Sequence, residues 1–579
     1  MTQVNREQAA MNDIDSTEIS ASTARWMVAC FLLLITLVPA IGLILDFKQQ
    51  RPPAIAAVLT LAATGLPAVA EIKAFEETVE NSDWLRAQLL SPSQHLLLQA
   101  GAGNERCWPG RDGWLFFYDS IAHLTGPSYL DPKQQEQRLR ATGKKGDSLA
   151  AIRDFSAQLK ARGIELLVVP IPVKAALYPH QLTERYPADA AVLSHPDDDA
   201  WFQQLNDSGV HTLNLRPILS KAKAAQLTYL KTEAHWTPAG MQAAARYIAA
   251  YLRDAGLPLR QQHLKQQPLQ QSNQGDLAVM LRLGQQYQLP QETVTINQIS
   301  NQAGEAWTPN ADASLLFLGD SFSNIYSMAG LGWGTGAGLT EQVSALTGLQ
   351  ADRLTINDGG ALSTRAALRA ELARGEDRLA GKKWVVWAFS ERELSLGDWR
   401  LVELPQSAPV LEQAQAQHQT RTELAGTVLA VAKAPRPGSV PYRDGIIALA
   451  IKPDTGDPLL VYSWGLKDNQ VAPAAALVPG DRFEASLLPW REAREQVGGY
   501  QRTELMQEAF LRLPAFWAAE AKLSKTGSRT TLTETTPQIA PKPALIPKSS
   551  GRFAQQVAAL ARIADCEAVA GKDGWAYFV

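Results

Sequence analysis

Residues 314–324, SLLFLGDSFSN, constrain the chain most. Ser314 to Leu318 are small or apolar, and Gly319-Asp320-Ser321 then breaks the run. A short apolar run closed by a glycine turn reads as a buried strand. A serine just past such a strand is lifted clear of the sheet, where backbone N–H groups can face a developing oxyanion. Its hydroxyl is inert without a base beside it, so the remaining sequence is read for that base.

Residues 228–240, TYLKTEAHWTPAG, supply one. Tyr229-Leu230 are expected to end a strand. Thr237 suits an N-cap and Pro238 a first helical turn. Glu233 and His235 then fall on a strand-to-helix loop, where α/β folds place ligand-binding groups. The carboxylate is close enough in sequence to contact the imidazole Nδ1, which leaves Nε2 to take the serine proton. Ser321, His235 and Glu233 are therefore the candidate acyl-transfer triad. GDS by itself is a weak signal, and most lone histidines are structural; the two segments carry weight together.

The alternation around them sets the fold class. From about residue 145, helices (148–162, near 198–207, 238–255, 363–375) alternate with apolar strands (164–169, 211–215, 314–318, 353–358, 384–389). That pattern implies a parallel sheet with helices on both faces. The Gln-rich residues 260–310 fit it poorly and read as an insertion or lid. After about 405, short strands between Pro/Gly turns imply a small antiparallel barrel or sandwich, followed by a helix near 503–522. Residues 523–550 are Thr/Pro/Lys-rich and read as a linker.

The chain's 579 residues allow two or three domains. A net charge of −3 gives no basic surface for nucleic acid. Three cysteines and eight histidines show no metal-ligand spacing, so neither a metal nor a cofactor is expected. Residues 1–25 read as a disordered N-terminus. Residues 26–45, WMVACFLLLITLVPAIGLIL, carry no charge and are long enough to span a bilayer, so a transmembrane anchor is expected over 26–46. A second span over 54–70 is disfavoured by Gly65 and Pro67. An amphipathic helix is expected over 71–99, followed by CWPGRDGWLFFY, whose WLFFY reads as the first strand of the folded domain. The chain ends in CEAVAGKDGWAYFV, a second copy of that opening motif. Either this end joins the same domain or the chain is a shortened relative of a tandem protein; both readings stay open. A Cys107–Cys566 disulfide is a further possibility, since both residues would lie outside the membrane.

GDSFS resembles the first block of SGNH-type serine hydrolases. An acid-x-His-Trp block upstream of it resembles the alginate O-acetyltransferase family, with its AlgJ/AlgX-like SGNH domains. GRDGWLFFY, VVPIPVKAALYP (168–179), KTEAHWTPAG and LFLGDSFS stand in that family's order over about residues 70–400. The resemblance implies an SGNH-like α/β/α sandwich over 71–404; beyond it, the residue pattern gives a small β domain with a helix over 405–522, the 523–550 linker and a C-terminal segment over 551–579. It implies Ser321 as nucleophile and His235 as base, with Glu233 where the family has Asp. Asn357, Gly359 and Gly360 in TINDGG resemble the superfamily's later blocks and are oxyanion candidates, with a plain turn as the equal alternative. Lys174, Tyr178 and Arg392 are candidates for the cleft wall. The implied protein is an inner-membrane, single-pass, periplasm-facing transferase of acetyl to an extracellular polysaccharide, beside a membrane-bound O-acyltransferase. An esterase with the same triad and a non-catalytic export scaffold are the alternatives.

Overall fold

The computed structural model describes residues 20–48, 84–257, 264–405, 422–435, 440, 442–505, 507–519, 521–524, 545–547, 568–570 and 575–578. The second-span candidate at 54–70, the start of the helix expected over 71–99, most of the 523–550 linker and Cys566 lie outside these residues.

The strands of the first part are β1 (Cys107–Pro109), β2 (Leu115–Phe117), β3 (Glu165–Ile171), β4 (His211–Thr212), β5 (Lys265–Asn273), β6 (Glu292–Ser300), β7 (Leu315–Gly319), β8 (Asp352–Thr355) and β9 (Trp384–Ser390). Five form one sheet in the order β4-β3-β9-β7-β8, with every pairing parallel. Every residue of β7 and β9 is buried. Such a sheet must be covered on both faces. The two-residue period of the strands sorts its side chains accordingly. Leu167, Val169, Leu315, Phe317 and Val386 join one core, with Leu219, Met241, Ala244, Ile248 and Val343. Leu166, Val168, Leu316, Leu318, Val385 and Trp387 join the other, with Ile152, Phe155, Trp201, Leu205, Leu368 and Leu372. The result is an α/β/α sandwich. The first core is capped by helices Arg216–Lys223, Pro238–Asp254 and Leu339–Thr347, the second by Ser148–Lys160, Asp198–Asp207 and Ser363–Ala373.

Parallel pairing brings the C-terminal ends of β3, β7, β8 and β9 to one edge of the sandwich, the site-bearing edge of such folds. Leu115–Phe117 of WLFFY form strand β2, which pairs antiparallel with β1 outside the parallel sheet, and a helix begins at Tyr118. One expectation needs correction here. Tyr229 forms only an isolated bridge to Trp236, so the histidine segment is a hairpin-like loop without a strand of its own. Residues 260–310 hold the antiparallel ribbon β5–β6, which packs Ile296 into the first core.

The following strands are β10 (Thr422–Val431), β11 (Gly445–Pro453), β12 (Leu459–Lys467), β13 (Gln470–Val471), β14 (Arg482–Pro489), β15 (Gln501–Thr503), β16 (Ala515–Ala518) and β17 (Ala521–Ser524). Pairing runs β11-β12-β16-β14-β10 and returns to β11, closing a barrel and removing the open edges. The helix expected near 503–522 is absent. Only Glu508–Leu511 is helical, and beyond Pro514 the chain turns into β16, whose Phe516 and Trp517 enter the barrel core. Lys525–Val579 is a separate unit, in which β18 (Leu545–Pro547), β20 (Trp575–Phe578) and β19 (Ala568–Ala570) pair in that order.

The N-terminal helix Ala21–Lys48 covers the stretch read as an anchor, and a second helix spans Trp84–Gln99. Among the described residues, no helix is long and apolar enough to cross a membrane. Cys107 is buried and its thiol is free.

Phe317 is completely buried at the centre of β7. Phe317→Ala should lower unfolding stability by about 3–5 kcal/mol, through lost burial and the cavity left behind, as measured by denaturant titration.

Candidate active site

The serine turn is fixed by the residue before it. Asp320 caps the four-residue helix Ser321–Asn324: its Oδ1 accepts from Phe322 N at 2.9 Å. Its Oδ2 accepts from Ser390 N at 2.8 Å, tying the turn to the end of β9. Ser321 is thereby the first helical residue, 4% exposed at the sheet edge.

The histidine loop is held from three sides. Lys174, just past β3, donates from Nζ to the carbonyl oxygens of Leu230 (3.1 Å), Lys231 (2.9 Å) and Glu233 (2.8 Å). Glu292 at the start of β6 accepts from Lys231 N and Thr232 N. Trp236 donates from Nε1 to Phe322 O at 3.1 Å, while Tyr326 Oη donates to Trp236 O at 2.7 Å. The tryptophan after the histidine thus clamps the base to the serine helix. Thr237 accepts from Gly240 N, and Pro238 occupies the first turn of the helix that follows.

Together these contacts bring the three sequence candidates into line. His235 Nε2 lies 2.8 Å from Ser321 Oγ, and His235 Nδ1 lies 2.6 Å from Glu233 Oε1. An ionised carboxylate only accepts, so Nδ1 carries the proton and Nε2 accepts from the serine hydroxyl. The far oxygen of Glu233 is also held, by Trp333 Nε1 and Asp276 N, each at 2.9 Å. Burial pushes the His235 pKa down to about 4, so the imidazole is neutral at ordinary pH, as a proton acceptor must be.

The other candidates divide. Asn357 lies at the edge beyond β8 and is buried; its Oδ1 accepts from Asn324 Nδ2 at 2.8 Å. Gly359 lines the cleft. Gly360 packs so close to Phe389 and Asp320 that a Cβ would sit 3.0 and 3.1 Å from them. Arg392 lines the cleft, with its guanidinium over the Phe117 ring at 5.1 Å. Lys174 and Tyr178, expected at the wall, lie beneath it: Lys174 binds the loop carbonyls, and Tyr178 Oη accepts from Thr228 N at 2.8 Å.

Several site residues carried no sequence signal that was used. Asp276 opens a short helix between β5 and β6; its Oδ1 accepts from Ala234 N at 2.8 Å, and its Oδ2 lies 3.9 Å from His235 Nδ1. Burial raises its pKa well above the carboxylate range, with the Glu233 charge adding to the effect. Gly275 before it has φ +86°, and a Cβ there would meet Thr232 O at 2.3 Å, so only glycine lets the segment approach the loop. The Gly-Asp pair in QGDL was the available clue. Trp333 and the barrel residues Tyr442, Arg443, Asp444 and Asp468 come from distant segments.

Two cavities open onto the triad, with volumes of ≈ 560 and ≈ 320 Å³. Two clusters bring potential metal-ligating atoms together: Glu233/His235/Asp276 and His123/Asp198/Glu391. In the second, Arg216 Nη2 lies 2.5 Å from both Asp198 and Glu391 and takes a cation's position.

Fold and site together define a domain class. Residues 108–391 match the family described as "SGNH hydrolase-like domain, acetyltransferase AlgX". The chain is 28% identical over 148 residues to the probable alginate O-acetylase AlgJ of Pseudomonas aeruginosa, covering 26% of this chain and 33% of that one. It is 25% identical over 261 residues to the AlgJ of Pseudomonas syringae pv. tomato, covering 43% and 65%. The matched segments thus span less than two thirds of either relative. The O-acetyltransferase domain of Pseudomonas putida AlgJ aligns in structure with a TM-score of 0.39 at 21% identity, over 51% of this chain and 93% of that domain.

Two measurements check this geometry. Imidazole nitrogen shifts should show His235 neutral at pH 6 and protonating only near pH 4, because its pKa is depressed by burial. Lys174→Met, which leaves three loop carbonyls without their donor, should cost about 2–4 kcal/mol of stability in denaturant titration.

Proposed function

We propose that this protein transfers acetyl groups to hydroxyls of an extracellular, alginate-like polysaccharide through an acetyl-serine intermediate. The observation that carries the reading is the unbroken hydrogen-bond chain from Ser321 Oγ through His235 to Glu233. The similarity to alginate O-acetylases supports the choice of acetyl group and polymer.

In the first half-reaction, Ser321 Oγ attacks the acetyl carbonyl carbon of a donor ester. His235 Nε2 takes the serine proton and returns it to the departing donor alcohol. Glu233 holds the ring and stabilises the transient imidazolium. Ser321 N–H faces the developing oxyanion; Asn357, whose Nδ2 donates to Met328 Sδ, lines the same cavity as Ser321. In the second half, a sugar hydroxyl gives its proton to His235 and attacks the acetyl-serine carbonyl; the Oγ–acetyl bond breaks and His235 returns the proton to Ser321 Oγ. The products are the sugar ester and free Ser321. In this reading the catalytic domain works in the periplasm, where a membrane-bound O-acyltransferase supplies the acetyl group.

The test is acetyl transfer to a defined oligouronate from an activated acetyl ester, followed by NMR of the sugar. Ser321→Ala should abolish transfer. Glu233→Gln keeps the shape but loses the charge and should reduce the rate by about 10²–10⁴-fold. Full transfer by Ser321→Ala would reject the reading, and acetate release without sugar acetylation would point to an esterase.

A further inference from the structure

The two cavities share only Ser321, His235 and Asp276 in their walls. Everything else about them differs. The larger presents Arg106, Lys144 and Arg392. Among the described residues, none of these cations has a carboxylate within ion-pair distance. Arg392 donates to Ser390 Oγ at 3.0 Å and Lys144 to Leu396 O at 3.3 Å. Opposing charge is subdued: Asp398 is already paired with Arg400, and burial pushes Glu393 up to about 7. Asp119, Asp358 and the shared Asp276, whose pKa burial raises well above the carboxylate range, are the remaining acidic residues on that wall.

The smaller cavity has the opposite character. Val279, Ile325, Ala329 and Leu331 line it beside Gly275, Gly330 and Gly332, which contribute no side-chain bulk. Its cation, Arg443, lies 3.9 Å from Asp468, Asp444 is paired with Lys467 at 3.0 Å, and Glu233 adds a buried carboxylate. Among the described residues this wall offers a polyanion no unpaired cation, and its apolar and glycine lining suits a small uncharged acyl group. Asn357, the candidate oxyanion donor, also lines this side.

We infer that the donor and the acceptor reach Ser321 through different cavities. The neutral acyl ester enters beside Val279, Ile325 and Leu331, and the acidic polysaccharide lies along Arg106, Lys144 and Arg392. The inference rests on the transferase reading and adds a separate donor site to it. It implies two-site kinetics, in which both half-reactions use the same serine while the substrates do not exclude each other. The barrel then serves as the wall of the donor side, through Tyr442, Arg443 and Asp468.

The test uses the full chain with p-nitrophenyl acetate as donor and a defined oligouronate as acceptor. Nitrophenol release in the first turnover reads donor entry, and decay of isolated acetyl-enzyme on adding oligouronate reads acceptor entry. Val279 is exposed, so Val279→Trp can obstruct the donor side without burying new bulk in the core. It should slow first-turnover release about tenfold and leave decay within about twofold. Arg392→Ala should do the reverse, raising the oligouronate concentration needed for half-maximal decay about tenfold, with Arg392→Lys recovering much of the loss. A per-O-methylated oligouronate, which keeps its carboxylates but offers no hydroxyl, should block decay without competing with the donor.

Competition between that analogue and the donor, or both variants impairing the same half-reaction, would overturn the two-cavity assignment while leaving the transferase standing. Failure of the wild-type chain to place acetyl on Ser321 would overturn the transferase reading and this inference with it.

Discussion

The site depends on one buried ammonium. The histidine loop has no strand to anchor it, because Tyr229 and Trp236 pair only with each other. Lys174 replaces that strand with three bonds to loop carbonyls, delivered from the end of β3. Burial pushes its pKa down to about 8, yet it stays charged near neutrality because three carbonyl dipoles and nearby carboxylates compensate its lost hydration. Without it, three carbonyl groups would be stranded and the base would lose its fixed approach to the serine. The parallel sheet positions Ser321, and Lys174 positions His235 relative to that sheet.

The glutamate that orients His235 has a geometric account. Its extra methylene lets one oxygen reach His235 Nδ1 while the other is held by Trp333 and the Asp276 backbone. A longer acid loses precision when it can swing, and here both oxygens are occupied. Asp276 completes the arrangement from an unexpected quarter. The Gln-rich stretch that interrupts the α/β alternation forms a ribbon, and its connecting segment carries this second carboxyl to the triad.

Local chemistry made part of this legible in the sequence. The apolar run before Gly319, the Thr237-Pro238 helix start and the alternation of strands and helices each rest on short-range rules. Those rules yield β7, the helix Pro238–Asp254 and the sheet class. Ser321, His235 and Glu233 sat beside such features, so they could be named. What escaped was set by long-range packing. Lys174 looked like a cleft residue, although its partners lie more than fifty residues away. Residues 503–522 have a helix-like composition, but closing the barrel against β12 and β14 draws 515–518 into a strand. The pairing of the larger cavity's cations, or its absence, also depends on neighbours that only folding brings together.

The proposed function requires that Ser321 become acylated because His235 and Glu233 activate it. The most direct measurement is peptide-resolved mass spectrometry of the full chain, quenched milliseconds after mixing with an activated acetyl ester over a range of pH. The account predicts one acetyl group, on the peptide bearing Ser321, forming at a rate that falls only as the pH drops towards about 4, where His235 gains its proton. Acetyl on another residue, or an acid limb near the ordinary histidine value of about 6.5, would contradict it.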